Sequence, residues 1–355
     1  MDEVSRPPPV PAGVQARSGP ARTRRRRLLT VAGLLAGLGL CGLLSLAVGA
    51  KAIPPEGVWH ALVAPTGSED DVVVRSLRLP RTVLGVLAGL ALGVAGALMQ
   101  AHTRNPLAEP GLLGVNAGAA FAVVLATYGL GVHTLLGYVW FAFAGALLAS
   151  VAVFALGSVA GGRGDPTPVT LALAGTAMTF LLLGLTNAVV LLDQQTLEAY
   201  RFWSLGALSG RDPEIIGQVV WFVVAGAVLA LAGAAGLNAL ALGEDVARAL
   251  GQQVWRTRVL GLAATTLLAG AAVAACGPIA FLGLVVPHLA RALTGPDHRW
   301  LLPCSGLLGA GVLLVADVVG RVVAPPGELA AGIVLAFVGA PFFVMLVRRH
   351  RLAAL

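Results

Sequence analysis

Long runs of apolar residues recur along most of this sequence and constrain its fold more than any other feature. Each run is about 20 residues long, the length that an α-helix needs to cross the ~30 Å hydrocarbon layer of a bilayer. The runs lack the polar alternation of transmembrane β-strands. Charged residues make up only 12% of the chain, whereas about 25% of the residues of an average soluble domain are charged. The sequence therefore predicts an all-α polytopic membrane protein.

Polar interruptions divide the chain into ten apolar segments, which we interpret as about ten transmembrane helices. An even number of crossings returns the C-terminus to the side of the N-terminus. Most of the 24 lysine and arginine residues fall on that side, and basic residues mark the cytoplasmic side. Both termini are thus predicted to be cytoplasmic. The expected helices are 28–50, 82–100, 112–130, 136–159, 169–192, 215–236, 257–276, 279–293, 301–323 and 329–347.

Residues 1–27 are rich in arginine and proline and have too little apolar surface to form a core, so we predict a disordered cytoplasmic tail. A signal peptide is the alternative for the run that follows. That run is longer than the 7–15 apolar residues of a signal core, and no clear cleavage site follows it. We therefore expect residues 28–349 to form one transmembrane domain that begins with an uncleaved helix.

The segment 238–258 is the most polar interruption between two long apolar runs on the cytoplasmic side, and we predict a short amphipathic helix there. Gly243 suits the start of that helix and Gly251 its left-handed end. Glu244 and Asp245 occupy the first turn, where the helix dipole favours anions. The apolar residues recur at helical spacing and share one face: Leu242, Val246 and Leu250. Such a helix either rests on lipid headgroups or fits a groove in a cytoplasmic partner.

Several classes of site are excluded or disfavoured by what the chain contains. Its only lysine, Lys51, does not follow a glycine, so the Gly-Lys-Ser/Thr signature of a phosphate-binding loop is missing. The three cysteines lie in apolar runs without metal-ligand spacing, which favours core residues over a metal site. No catalytic constellation is recognisable. We expect neither enzymatic activity nor a cofactor, and no nucleic-acid partner.

Three polar features near the membrane remain open on residue chemistry alone. Residues 102–111 contain two prolines, which forbid a continuous helix, so this segment is either a plain turn or part of a pathway. Arg78 and Arg81 lie at the start of a helix, where cations are least favoured. They either anchor the helix at the membrane interface or leave positive charge for an acidic partner. Asp317 and Arg321 are spaced to pair on one helix face, and structural pairing competes with a role in transport chemistry.

A set of motifs in this sequence resembles the FecCD-type permeases of bacterial iron-siderophore and cobalamin ABC importers, in that family's order and spacing from about residue 50 to residue 349. The motifs are residues 78–81, 96–100, 105–110, 242–244, 277–288, 316–317 with Arg321, and 339–343. One departure is modest: the proline that often follows the acidic residue matched by Glu328 is missing from residues 329–332.

The resemblance implies a type II ABC importer permease fold that dimerises with a second copy or a paralogue. It also implies cytoplasmic ATP-binding cassette ATPase subunits and an extracytoplasmic substrate-binding protein. The residues implied to couple to the ATPase are Leu242, Gly243, Glu244, Asp245, Val246, Ala247, Leu250 and Gly251. Those implied to dock the binding protein are Arg78, Arg81 and Arg321. Those implied to form the translocation gate are Asn105 and Leu107, faced by Pro168 and Val169.

The expected function is import of a ferric siderophore across the bacterial cytoplasmic membrane, by alternating access driven by ATP hydrolysis on the partner subunits. Haem or cobalamin are the alternative cargoes for the same machine. A proton-coupled secondary transporter is a further alternative, although no run of carboxylates through the bundle suggests a proton relay.

Overall fold

The computed structural model describes residues 20–132, 134–161, 167–325 and 327–352, and within these ranges the regular structure is entirely helical. Fourteen α-helices follow one another along the described chain. A π-helical stretch, Val73–Arg78, joins α3 to α4, and a 3-10 turn, Pro110–Leu113, precedes α5. The helices are α1 (Pro20–Ala47), α2 (Pro55–Val63), α3 (Glu69–Val72), α4 (Leu79–Thr103), α5 (Val115–Leu130), α6 (Leu135–Ala160), α7 (Pro168–Val190), α8 (Gln194–Ser204), α9 (Glu214–Leu240), α10 (Glu244–Ala249), α11 (Val254–Cys276), α12 (Leu282–Thr294), α13 (His298–Val323) and α14 (Ala331–Leu352).

Ten of these helices are apolar enough to account for the predicted spans. Seven helical stretches in the described chain are both long and apolar enough to cross a bilayer, and they contain α1, α4, α6, α7, α9, α11 and α13. Three shorter apolar helices, α5, α12 and α14, complete the set. The prediction of an all-α polytopic protein with about ten transmembrane helices is confirmed.

The helix α4 lies at the centre of the bundle and packs against α13, α11, α12 and α9. Its contact face carries glycines at helical spacing, where a side chain would meet the backbone of a neighbour. A Cβ at Gly89 would lie 2.5 Å from the Gly309 carbonyl oxygen, and one at Gly93 would lie 2.2 Å from that of Ser305. Small residues let membrane helices approach this closely. Dispersion between their backbones then contributes most of the free energy that holds the helices together.

The segment between α4 and α5 does not form a plain surface turn. Pro110 packs on Gly283 of α12, where an added Cβ would lie 2.8 Å from the proline Cδ. Gly283 in turn contacts Gly96, two turns inside the end of α4 at Thr103. The segment therefore turns back along α4, with Ala108 and Pro110 buried and Arg104 and Asn105 exposed.

The structure corrects two boundaries in the sequence interpretation. The first helix begins at Pro20, so residues 20–27 are helical and the predicted disordered tail at 1–27 extends too far; residues 1–19 lie outside the described ranges. Proline suits the first helical turn and arginine is a good helix former, so α1 continues outward from the bilayer. The outer segment 51–80, expected to be a loop, contains α2, α3 and the π-helical stretch.

The glycine contact between α4 and α13 predicts a large cost for a single methyl group. Gly93→Ala should destabilise the protein by about 1–3 kcal/mol, because the added Cβ overpacks against the Ser305 backbone. The matched control is Gly39→Ala in α1, where no atom lies within 4 Å of the added Cβ. Thermal unfolding of the detergent-solubilised variants measures both. Equal midpoints of thermal unfolding for Gly93→Ala and Gly39→Ala would contradict the packing argument.

Candidate functional sites at the two ends of the bundle

Five charged residues from α4, α13 and their flanks meet at the outer end of the bundle, and we call them the outer cluster. They are Arg78, Arg81, Asp317, Arg321 and Glu328. The Asp317 side chain is 1% exposed and lies between two guanidinium groups. Arg81 Nη2 donates to Asp317 Oδ1 at 2.8 Å, and Arg321 Nε donates to Asp317 Oδ2 at 3.1 Å. Of the two alternatives for Asp317 and Arg321, the structure shows the structural pairing.

The outer cluster also completes the end of α1. The last carbonyl groups of a helix have no partner within it, and cations are favoured there. Arg78 Nη1 donates to the carbonyl oxygens of Leu46 at 2.7 Å and Ala47 at 2.9 Å. Arg321 Nη1 donates to the carbonyl oxygen of Ser45 at 2.7 Å. Arg78, which lies just before α4, and Arg321, which is far from α1 in sequence, thus cap the C-terminus of α1.

The premise behind the predicted docking site therefore needs correction. Arg78 and Arg81 were expected to be unpaired, but Arg78 is 7% exposed and bound to α1, and Arg81 also donates to Glu328 Oε2 at 2.7 Å. Arg321 is 4% exposed. Three guanidinium groups face two carboxylates, so the outer cluster keeps a net positive charge.

The short helix α10 lies between α9 and α11, within the predicted segment 238–258. Gly243 precedes it with φ 112°, a conformation that favours glycine. At its other end the Gln252 amide donates to the Ala247 carbonyl and the Gly251 amide to that of Arg248, both at 2.9 Å. These two bonds form a Schellman motif, and Gly251 supplies its left-handed residue with φ 76°. The predicted start and stop of this helix are both present.

The apolar face of α10 points away from the bundle. Leu242 is 65%, Val246 45% and Leu250 62% exposed. Ala247, on the opposite side, is fully buried against Leu240 and Val254. The helix is thus held to the bundle by one face while it presents a contiguous apolar face outward. Within the described chain, nothing covers that face.

Glu244 does not share the exposure of its neighbour. Its side chain is 29% exposed and pairs with Arg258 of α11, whereas the Asp245 side chain is fully exposed. Arg104, at the end of α4, approaches Glu244 Oε1 to 3.8 Å. Arg248 approaches Oε2 to 3.6 Å. Sequence reasoning missed Arg104 and Arg258 as partners, because they are far from Glu244 along the chain; the only signal was their common assignment to the cytoplasmic side.

The predicted gate residues lie on two segments that the structure does not bring into a described contact. Asn105 is exposed and its Oδ1 accepts a hydrogen bond from the Leu107 amide at 2.9 Å, which makes a tight turn. His288 Nε2 lies 2.8 Å from the Pro106 carbonyl oxygen and fastens this turn to α12. Val169, near the start of α7, is 67% exposed, and the side chain of Pro168 lies outside the described side chains.

A second set of inner contacts joins the turn before α13 to α1 and α9. Arg27 Nη1 donates to Asp297 Oδ2 at 3.1 Å, and Asn238 Nδ2 donates to Asp297 Oδ1 at 2.8 Å. Partial burial works against ionisation of Asp297, but the bonds from Asn238 and the Arg299 amide and the charge of Arg27 lower its pKa. A lowered pKa means that this carboxylate stabilises the fold at neutral pH and loses its contribution as the pH falls through that value.

No group of three or more histidine, cysteine, aspartate or glutamate side chains in the described part of the chain is arranged to hold a metal ion. The inner end offers an apolar helix face, and the outer end offers a buried, net positive cluster.

The outer cluster predicts unequal effects for its two carboxylates. Asp317→Asn should destabilise the protein by about 3–5 kcal/mol, because it leaves the buried Arg321 guanidinium without a counter-charge and leaves Arg81 with Glu328 alone. Glu328→Gln is the control: the Glu328 side chain is 36% exposed, and exposed pairs contribute only about 0–1 kcal/mol. Thermal unfolding in detergent compares them, and a larger loss for Glu328→Gln would refute the central role of Asp317.

Comparison with known proteins identifies the family. The FecCD transport family matches residues 37–349. The ferric enterobactin transport system permease protein FepD of Escherichia coli K12 is 48% identical over 323 residues, which cover 91% of this chain and 96% of that protein. The cobalamin import system permease protein BtuC of Halobacterium salinarum is 40% identical over 284 residues, covering 80% of this chain and 75% of that protein.

A solved structure supports the same assignment at the level of the fold. It shows a metal-chelate type ABC transporter in an inward-facing conformation, with a TM-score of 0.77, 27% identity, and coverage of 91% of this chain and 99% of the other. The resemblance stated from the sequence motifs is confirmed, as is the placement of the chain as a multi-pass protein of the cytoplasmic membrane. This chain belongs to the FecCD transport family.

Proposed function

We propose that this chain is the permease subunit of an ABC importer and carries a ferric siderophore into the cytoplasm. The family match and the close likeness to a ferric enterobactin permease support this cargo class. The likeness to a cobalamin permease supports cobalamin as the alternative cargo of the same importer. Haem is a further alternative. ATP hydrolysis belongs to partner subunits, since the chain lacks a phosphate-binding loop.

The observation that carries this proposal is the outward apolar face of α10. Leu242, Val246 and Leu250 stay exposed on a helix whose other face is fixed by Ala247. An exposed apolar patch on a short helix that is flanked by a glycine at each end is suited to insert into a groove of a partner protein. We assign this face to the ATP-binding cassette ATPase, which pushes or pulls α10 as it closes and opens.

The permease works by alternating access in a dimer formed with a second copy or a paralogue. The gate consists of the turn at Asn105 and Leu107, faced by the start of α7 at Pro168 and Val169. The exposure of Asn105 and Val169 supports their placement on a path that a second subunit completes. The inward-facing relative represents one of the two states between which such a permease alternates.

The outer cluster docks the substrate-binding protein through Arg81, with Arg78 and Arg321 contributing to the positive field. Glu328 is the more exposed of the two carboxylates, so an acidic residue of the binding protein can replace it as a partner of Arg81. Complementary charge of this kind steers and orients docking. Arg78 and Arg321 remain bound to α1 while this exchange takes place.

Val246→Asp tests the assignment of the apolar face. A carboxylate at this position should abolish co-purification of the ATPase subunit with the permease, because the charge would be desolvated in the groove. Val159→Asp, a substitution of another exposed apolar residue near the inner end of α6, is the control and should leave co-purification intact. Persistence of the ATPase in Val246→Asp preparations would remove α10 as its docking element.

Uptake by iron-limited cells tests the cargo. Deletion of the gene should abolish uptake of one radiolabelled ferric siderophore, for which ferric enterobactin is the first probe, followed by a ferric hydroxamate. Labelled cobalamin and haem are measured in parallel. Loss of cobalamin or haem uptake with unchanged iron uptake would overturn the siderophore assignment and keep the importer. Transport that continues without any ATPase partner would point instead to a secondary transporter.

A further inference from the structure

Glu244 and Asp245 are adjacent acidic residues on α10, but they face different surroundings. The side chain of Asp245 is fully exposed and approaches only Arg248, at 3.6 Å, among the described ion pairs. The side chain of Glu244 is 29% exposed and turns toward the bundle. An acidic residue that served as a contact for the ATPase would be expected to point outward with Leu242, Val246 and Leu250. Glu244 points to the permease itself.

The Glu244 carboxylate joins three parts of the chain. Oε1 accepts a hydrogen bond from Arg258 Nη2, on the first turns of α11, and lies 3.8 Å from Arg104 Nη2. Oε2 lies 3.6 Å from Arg248, one turn further along α10. Arg258 is well shielded, with a side chain that is 11% exposed. We call Arg104, Glu244, Arg248 and Arg258 the inner cluster.

Arg104 places the inner cluster next to the proposed gate. It ends α4 in a left-handed conformation with φ 49°, an uncommon value for a residue other than glycine. Asn105 follows it directly, and the Asn105–Leu107 turn is closed by a hydrogen bond. A displacement of Glu244 therefore acts on the residue from which the gate turn begins, and through Arg258 on α11, which packs against α4 along its length.

We infer that Glu244 is a positioning residue that ties α10 to the inner ends of α4 and α11 and so transmits motion of the ATPase to the gate turn. This inference rests on the proposed function. Apolar packing at Ala247 holds α10 in place but is not directional. The charged tie is directional, because the hydrogen bond from Arg258 to Glu244 is charge-assisted and has defined geometry. Arg104 and Arg248 add longer ion pairs to the same carboxylate.

The experiment uses the full complex of permease, ATPase and binding protein in liposomes, with ferric enterobactin as the import probe. Glu244→Gln removes the charge at constant shape. Asp297→Asn is the matched control, because it removes an inner-side carboxylate paired with Arg27 while asparagine still caps α13. Four quantities are measured: co-purification of the ATPase, ATP hydrolysis, import, and labelling of Leu107→Cys by a water-soluble thiol reagent with and without ATP and vanadate. The same labelling in the chain with Leu107 intact subtracts the contribution of its natural cysteines.

Glu244→Gln is expected to keep its ATPase subunit and ATP hydrolysis but to reduce import at least about fivefold, the lower end of typical coupling between sites. The nucleotide-dependent change in labelling of Leu107→Cys should disappear with it. Asp297→Asn should behave as the unmodified chain.

Three outcomes would overturn the inference. Import by Glu244→Gln at the unmodified rate would show that the tie is dispensable. Loss of the ATPase subunit from Glu244→Gln would show that Glu244 contacts the ATPase directly. Loss of import without loss of the labelling change would place Glu244 outside the route to the gate. If the unmodified complex does not import ferric enterobactin, the choice of cargo is wrong, and the labelling comparison still decides the role of Glu244.

Discussion

Close backbone contact around α4 is the constraint on which the rest of the structure depends. In hydrocarbon the hydrophobic effect does not drive helices together, so association relies on packing at short range. Gly89 and Gly93 allow the α13 backbone to approach α4, and Gly96 allows that of α12. With α13 and α12 held this closely, the two ends of α4 meet the charged residues of other helices. The outer and inner clusters are both built on the ends of this one helix.

The charged residues at the outer end illustrate how a buried ion pair is retained in a membrane protein. Desolvation of a carboxylate and a guanidinium is costly, and the pair is stable only when the remaining donors also find partners. Asp317 accepts from both Arg81 and Arg321. Further donors of Arg321 and Arg78 go to carbonyl groups at the end of α1 that have no helical partner. One network thus satisfies the end of a peripheral helix and joins it to the central pair.

Local signals in the sequence predicted the helices better than they predicted the side-chain contacts between helices. Apolar length predicted ten membrane helices, and the glycines that flank α10 predicted its bounds, because both properties reside within one segment. The pairing of Asp317 with Arg321 was predictable from a spacing of four residues. The partners of Arg78 and Arg81 were not, since the α1 carbonyls and Asp317 are separated from them along the chain and meet them only through packing. The helix-dipole argument therefore left these arginines unpaired in error.

The same distinction explains why the orientation of Glu244 could not be inferred from its helix alone. Position in the first turn favours an acidic residue whichever way its side chain points, and the motif in which it lies suggested contact with a partner. The direction is decided by Arg258 and Arg104, which the glycine-mediated packing of α4 and α11 brings to the base of α10. One face of α10 therefore stays exposed while the side chain of Glu244 pairs within the bundle. A helix that transmits the motion of a partner needs both an exposed face and a bond to the bundle. Without that bond, the helix would move with the partner and leave the other helices in place.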